Sequence, residues 1–398
     1  MNPLLISGFG TNINVEKRRL IITNKLDNVH LEFYPHQIPY DSIIVDGHTG
    51  NITFEALRWL MKHDISVSML NWNGDLLSVA LPKAPISSKL RIMQYKMYLD
   101  EKSRLNIATT IIKEKVGKSL ELLEKLSDYY NFVDMEKIKD SFDNENRLFG
   151  KIRANSELMT YEGRIADIYW TNTAKIFDRL YPEFRFGKRG NKTYSHNVNA
   201  SDEINALLNY GYAILESEIK KDINAIGLDA SIGFLHEIHS GRASLVFDVQ
   251  ELYRWLIDLS VIQLLEERKL KKSDFIVTEN YHVRLKENTA KMLIEKIRIN
   301  FNKRMQYKGK SHSYEGVLLD NVRILANHVI GKSNELRFSL PEIDIEREDS
   351  SSIRDRILSI SPEERKKLGI NKSTLWYQKK HIREGKRIKI YQKVNSKL

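Results

Sequence analysis

The sequence has 398 residues, 41% apolar and 29% charged, which is room for two or three domains of an ordinary globular protein. It has no cysteine, which excludes a disulfide framework, a thiolate zinc site and a cysteine nucleophile, and fits a reducing cytoplasm. The net charge of +11 points to polyanionic partners, and ten of those charges lie in residues 353–398, where 14 Lys and Arg face 4 Asp and Glu. No apolar run approaches the ~20 residues of a membrane span, and Met1-Asn2-Pro3-Leu4 does not read as a signal peptide. A cytoplasmic protein without a membrane partner is expected.

The elements predict an α+β multidomain chain. Leu4–Ser7, Arg19–Ile22, Val29–Phe33 and Ser42–Val45 are short, β-branched or alternating, and separated by turn residues. A helix starts near Thr53 with Ala56, Leu57, Leu60 and Met61 on one face. Ile65–Leu70 then alternates, and Asn73-Gly74 joins it to Leu76–Ala80 as a hairpin signal. Residues 1–81 thus form a small β-rich domain. Pro82 and Pro85 mark a linker over 82–88, because proline breaks both helix and sheet.

Residues 89–340 read as a large all-α domain, with apolar residues at three- and four-residue spacing and few strand signals. Two basic, glycine-containing stretches interrupt it, 184–195 and 302–316, and both read as mobile loops. After an acidic, Ser-rich linker, residues 353–398 form a basic tail. Ser361 is a helix N-cap with Pro362 at the first helical position. A turn follows over 369–373, a second helix begins near Thr374, and 387–391 alternates like a strand. This reads as a helix-turn-helix-like module with a wing, or as a basic, solvated helical hairpin. Its DNA-contacting candidates are Lys372, Lys379, Lys380, Arg383, Lys386 and Arg387.

Three segments carry possible chemistry. Glu162 lies in the helical stripe Leu158, Glu162, Ile165/Ala166, Tyr169. A carboxylate in an apolar stripe is costly unless it is paired or bound to a metal. The pattern alone leaves a salt bridge to a nearby Lys or Arg as the plainer reading. In the second segment His236 sits on a loop between Gly233 and Gly241, followed by a helix that Ser244 would cap. That helix places Asp248, Glu251, Arg254 and Asp258 on one side. An imidazole with carboxylates suits magnesium or manganese, while acids near a helix start equally suit its dipole. Third, Asn205, Asn209, Tyr212 and Glu216 form a polar stripe that lines a site or faces solvent.

Together, YEGRIADIYW at 161–170, INALLNYGYAIL at 204–215 and GLDASIGFLHEIHSGRASLVFDVQELYRW at 227–255 resemble one family. It is the CRISPR-associated spacer-acquisition integrase, the first of the two universal adaptation proteins. The order of the motifs and the layout of a β domain followed by a helical domain match over about residues 1–330. The resemblance implies that Glu162, His236 and Glu251 are metal ligands for Mg²⁺ or Mn²⁺, with Asp248 a further acidic residue of the site. Ala230 stands where the family usually has proline. The basic tail is a second departure, and related transposon integrases, the casposases, often carry such a module.

The implied reaction is metal-dependent attack of a 3′-hydroxyl of duplex DNA on a target phosphodiester, with nicking as its hydrolytic counterpart. Asn205, Asn209, Tyr212 and Arg242 are candidates for positioning phosphates. Double-stranded DNA, a homodimer or higher oligomer and the second adaptation protein are the expected partners. Casposon integration through terminal inverted repeats is the alternative. A non-catalytic DNA-binding regulator, whose carboxylates are structural, is the reading from another class.

Overall fold

The computed structural model describes residues 1–24, 28–71, 73–83, 87–130, 132–186, 189, 200–267, 270–279, 282–345, 357–367 and 371–383. Residues 1–342 form one compact unit and 343–398 a second.

The first unit opens with a six-stranded sheet ordered β3-β2-β1-β4-β5-β6. Its strands are β1 (Pro3–Glu16), β2 (Arg19–Asn24), β3 (Val29–Phe33), β4 (Ser42–Ile52), β5 (Ser66–Leu70) and β6 (Leu76–Ala80). β1 pairs antiparallel with β2 and parallel with β4, and β4 runs parallel to β5. The β1–β2 turn is two residues long, and Lys17 and Arg18 both take positive φ, as a primed hairpin turn requires. Trp59 holds it by donating its indole N–H to the Arg18 carbonyl at 3.0 Å. Trp59 lies on α1 (Phe54–Lys62), capped by Thr53, whose hydroxyl accepts from Ala56 N. Ala56, Trp59 and Leu60 bury against Ile6, Ile13, Leu20, Ile22, Ile43 and Val67 of the sheet.

The helices that follow are α2 (Ser88–Leu99), α3 (Glu101–Ser127), α4 (Met135–Phe149), α5 (Asn155–Leu180) and α6 (Glu203–Ile226). After them come α7 (Ser244–Gln250), α8 (Arg254–Glu267), α9 (Glu287–Asn302) and α10 (Tyr314–Val329). α6 is buried along most of its length, so its polar stripe is no solvated face. Gly211 lets it close on α8, since a Cβ there would sit 2.5 Å from Ile257 Cγ2. α6 also ties the sheet to the helices: Tyr210 donates to Asp46 Oδ2 at 3.0 Å, and Ser217 bonds Ser68.

Short strands interrupt the helical region where none were expected. β7 (Phe275–Val277) pairs with β8 (Val283–Leu285), and β9 (Arg304–Tyr307) pairs with β10 (Lys310–Ser313). The second pair corrects the expectation of a mobile loop over 302–316. Lys308 and Gly309 both take positive φ and form the tight turn, while β10 is wholly polar and β9 alternates only through Met305 and Tyr307. Of the other basic stretch, residues 187, 188 and 190–199 lie outside the described residues.

The second unit contains α11 (Pro362–Lys367) and α12 (Lys372–Arg383). Ser361 and Glu364 form a reciprocal capping box, Ser361 N to Glu364 Oε2 at 3.0 Å and Glu364 N to Ser361 Oγ at 3.1 Å. Among its described residues Ile343, Ile345, Ile357, Ile360 and Leu375 are the buried apolar ones. Lys379 does not face outward as a DNA contact should. Its ammonium donates to the carbonyls of Leu358 and Ile360, each at 2.8 Å. Lys386, Arg387 and the expected strand over 387–391 lie outside the described residues, as does the side chain of Arg383. Among the described residues no helix is long and apolar enough to cross a membrane.

Candidate metal centre

Asp248 organises one side of the site. It is fully buried on α7, and its carboxylate accepts from the backbone N–H groups of Phe234, Leu235 (2.9 Å) and His236 (3.0 Å). Oδ1 also receives a hydrogen bond from the His236 ring at 2.8 Å. A carboxylate only accepts, so Nδ1 carries the proton of this bond, and Nε2 is the ring nitrogen left to meet a ligand. The loop over 229–237 is fixed from three helices. Gln94 exchanges hydrogen bonds with Asp229 and Ile232, Arg104 donates to the Phe234 carbonyl and pairs with Glu237, and Asn155 donates to the same Phe234 carbonyl. Gly233 is required by space: a Cβ there would meet Asp248 Oδ2 at 2.8 Å and Ser244 C at 2.7 Å. Ser244 is not the cap expected of it. Ala243 holds that position, and the Ser244 hydroxyl donates to the Glu237 carbonyl at 2.8 Å.

Glu251 follows in a turn, since the expected single helix is broken over 251–253 before α8 begins. Glu162 faces it from α5, and Lys115 of α3 reaches between them. The Lys115 ammonium pairs with Glu162 Oε1 and lies 2.5 Å from Glu251 Oε2. Arg254 closes the other oxygen of Glu251 at 3.0 Å. Burial pushes Glu251 up, but Arg254, Lys115 and His236 together outweigh it and hold the carboxyl at about 2. Its Oε2 is buried, and the Lys115 ammonium is the cation that meets it.

The structure therefore brings Glu162 and Glu251 onto one cation and sets His236 beside them, its charge felt at Glu251. The salt bridge that the apolar stripe allowed for Glu162 is present. Among the described residues no group of three or more His, Asp and Glu side chains is set as found to hold a metal ion. The donor set nonetheless fits a hard divalent ion once the ammonium moves aside: two carboxylates, one with a buried oxygen that the ammonium alone meets, and an imidazole already oriented by a carboxylate behind it. Asp248 is a correction. Both its oxygens are occupied beneath the site, so it orients His236 rather than ligating. A cleft of about 220 Å³ opens here, with Lys115, Glu162, Glu251 and Arg254 on its polar wall and Trp170 and Trp255 on its apolar one.

The phosphate-positioning candidates divide. Asn205 and Asn209 are turned to Arg189, accepting from Nη1 and Nη2 at 2.7 and 2.6 Å, so they grip a side chain rather than a phosphate. Tyr212 is buried and donates to Asp258 Oδ1, while Tyr169 donates to Oδ2 at 2.7 Å. Burial pushes Asp258 up to about 6, against the hydrogen bonds from the two tyrosines. Arg189 and Arg254 both lie over the Tyr212 ring, at 5.2 and 4.7 Å. Arg242 alone is exposed, its guanidinium 4.7 Å over Phe247.

Residues 4–298 match the family described as CRISPR associated protein Cas1. A solved structure, a casposase bound to integration product, is 36% identical with a TM-score of 0.81, covering 90% of this chain and 99% of that one. CRISPR-associated endonuclease Cas1 1 of Archaeoglobus fulgidus is 27% identical over 336 residues, 80% of this chain and 94% of its own. A CAS1 protein from Thermotoga maritima, at 20% identity and a TM-score of 0.68 over 85% of this chain and all of its own, shares the fold. By the family match and the casposase likeness, each spanning well over half of its length, the chain belongs to the Cas1 family.

Proposed function

We propose that the chain is a metal-dependent DNA endonuclease and integrase that joins 3′-hydroxyl ends of duplex DNA to a target phosphodiester. What supports this reading is the pairing of Glu162 and Glu251 on one ammonium, with the Asp248-oriented His236 near enough for its charge to act on Glu251, in a member of the Cas1 family. Those three would hold Mg²⁺ or Mn²⁺, which when bound polarises the scissile phosphate and stabilises charge on the reacting oxygens. The chain's own groups set up the rest. Asp248 keeps the His236 proton on Nδ1, and Arg254 keeps Glu251 ionised. In strand transfer the incoming 3′-oxygen forms a bond to phosphorus as the target's P–O3′ bond breaks, and the proton passes from one 3′-hydroxyl to the other. One phosphodiester replaces another, so no energy source is needed. With water as nucleophile the same site nicks DNA.

Within the family, casposon-type integration is the better supported role. The casposase is 36% identical, while the curated CRISPR-associated endonucleases stand at 26–30%. Its coverage, 90% of the chain, exceeds the 342 residues of the first unit. We assign that tail, as a helix-turn-helix-like module, to binding of DNA ends through Lys372 and Lys380. The names of the curated relatives favour the second reading, spacer acquisition with the second adaptation protein. In either role the working form is a homodimer or higher oligomer.

Purified protein with Mn²⁺ is expected to join a 3′-hydroxyl duplex to a plasmid, and Glu162→Ala or His236→Ala to reduce joining by about 100-fold or more. Full joining by either variant would overturn the site. Deletion of residues 353–398 separates the roles: loss of preference for terminal-repeat ends supports the casposon reading, and undiminished joining of any duplex supports spacer acquisition.

A further inference from the structure

Lys115 is the one residue at the centre of this site that the family resemblance leaves without a role. It comes from the middle of α3, between the fully buried Ile112 and the buried Val116, so its Cα position is fixed by packing while its four-carbon stem can swing. Its ammonium touches both acids at once, Glu162 Oε1 and Glu251 Oε2. No other cation recorded among the described residues pairs with both; Arg254 pairs with Glu251 alone, through Oε1. The side chains of Glu162 and Glu251 are 17% and 5% exposed. Two carboxylates this close and this dry repel one another and lose hydration unless a positive charge lies between them.

We propose that Lys115 is a built-in surrogate cation: its ammonium occupies the place between Glu162 and Glu251 that a divalent metal takes, and leaves when the metal binds. This rests on the metal reading given above. Before loading, the lysine keeps acids from α5 and the turn after α7 in register, so that the site does not splay apart. A single ammonium suits this task better than a guanidinium. It meets each carboxylate through one oxygen only, Glu162 Oε1 and Glu251 Oε2. Such a contact is strong enough to hold the pair and weak enough to give way to an ion of twice the charge. The consequence is a competition. Metal affinity is lower than the bare carboxylates and imidazole would provide, and loading sends the ammonium out toward the open cleft.

Two measurements on the full chain without DNA test this. In the first, Mn²⁺ binding is followed by calorimetry for the wild type and Lys115→Met, together with melting in EDTA. The variant is expected to melt lower in EDTA, yet to bind Mn²⁺ about ten-fold more tightly or better, because no ammonium has to be expelled. A merely structural lysine would lower the melting point without raising affinity. Equal or weaker Mn²⁺ binding by a folded Lys115→Met variant overturns the proposal. The second needs no variant and decides the matter should Lys115→Met fail to fold. Acetylation of wild-type Lys115 by an N-hydroxysuccinimide ester, read by peptide mass spectrometry, is expected to speed up several-fold when Mn²⁺ replaces EDTA. Unchanged protection of Lys115 in protein that does bind Mn²⁺ overturns the surrogate role but spares the metal reading. A wild type that takes up no Mn²⁺ overturns both.

Discussion

On the His236 side of the site every atom of the organising carboxylate has a partner inside the fold: three backbone N–H groups and an imidazole converge on Asp248. On the Glu162–Glu251 side the two acids share the flexible stem of Lys115, with Arg254 on the other oxygen of Glu251. The first half is finished before any ligand arrives; the second is held ready for one. A buried carboxylate with a full set of donors is a structural part, and removing it leaves those donors unsatisfied. A carboxylate held by one displaceable cation is a ligand in waiting.

That contrast breaks most visibly at Asp248. Asp248→Ala strands three buried N–H groups and frees the imidazole to turn, so a stability loss of about 3–5 kcal/mol is expected by urea denaturation in EDTA. Glu162→Ala, which removes an acid but leaves Lys115 and Glu251 paired, should lose much less. Equal losses would mean that the two halves are built alike. Gly233→Ala attacks the same half by space rather than charge. Its Cβ would press on Asp248 Oδ2 and the start of α7, and overpacking of this kind costs about 1–3 kcal/mol. Weakened Mn²⁺ binding should accompany it, because the displaced carboxylate carries His236 with it.

Acid titration sharpens the comparison through two carboxylates on either side of the α8 start. Glu251 is held at about 2 in the fold against an ordinary 4.5, so its contribution is complete above pH 4.5 and lost as pH falls through about 2. Asp258 is pushed up from 3.8 to about 6, so its contribution is complete below pH 3.8 and lost as pH rises through about 6. In metal-free protein, Glu251→Gln should flatten the acid limb of the stability profile and Asp258→Asn the limb between pH 4 and 6. Curves that change in the same direction would show that the cations around Glu251 do not outweigh its burial.

Much of this was legible in the sequence, unevenly. The sheet strands and α1 announced themselves because each buries one face, and burial writes a period into the residues. β9 and β10 did not, because the two apolar residues of β9 are too few to set a period, β10 is polar, and the turn depends on the positive φ of Lys308 and Gly309. At the site, Glu162 stood out as a charge in an apolar stripe, whereas Lys115 looks like any lysine of an amphipathic helix until α5 and the turn after α7 are folded against it. The Asn205–Asn209 stripe was visible but its object was not, since Arg189 reaches it from a loop whose path no periodicity encodes.

The smallest effects are expected in the tail, where lysines divide into one turned inward onto backbone carbonyls and others exposed to solvent. Lys379 is spent on two carbonyls, whereas Lys372 is exposed at the start of α12 and Lys380 lies 5.3 Å over the ring of Trp376, itself 63% exposed. If the tail binds DNA through its exposed cations, Lys372→Ala and Lys380→Ala should each weaken binding across sequences and reduce the salt slope by about one. Lys379→Ala should leave that slope unchanged and instead loosen the packing around Ile360, seen as faster amide exchange over 357–367. A drop in salt slope for Lys379→Ala equal to that for Lys372→Ala would mean that its ammonium abandons the two carbonyls for phosphate. The line between structural and DNA-binding lysines in the tail would then have to be redrawn.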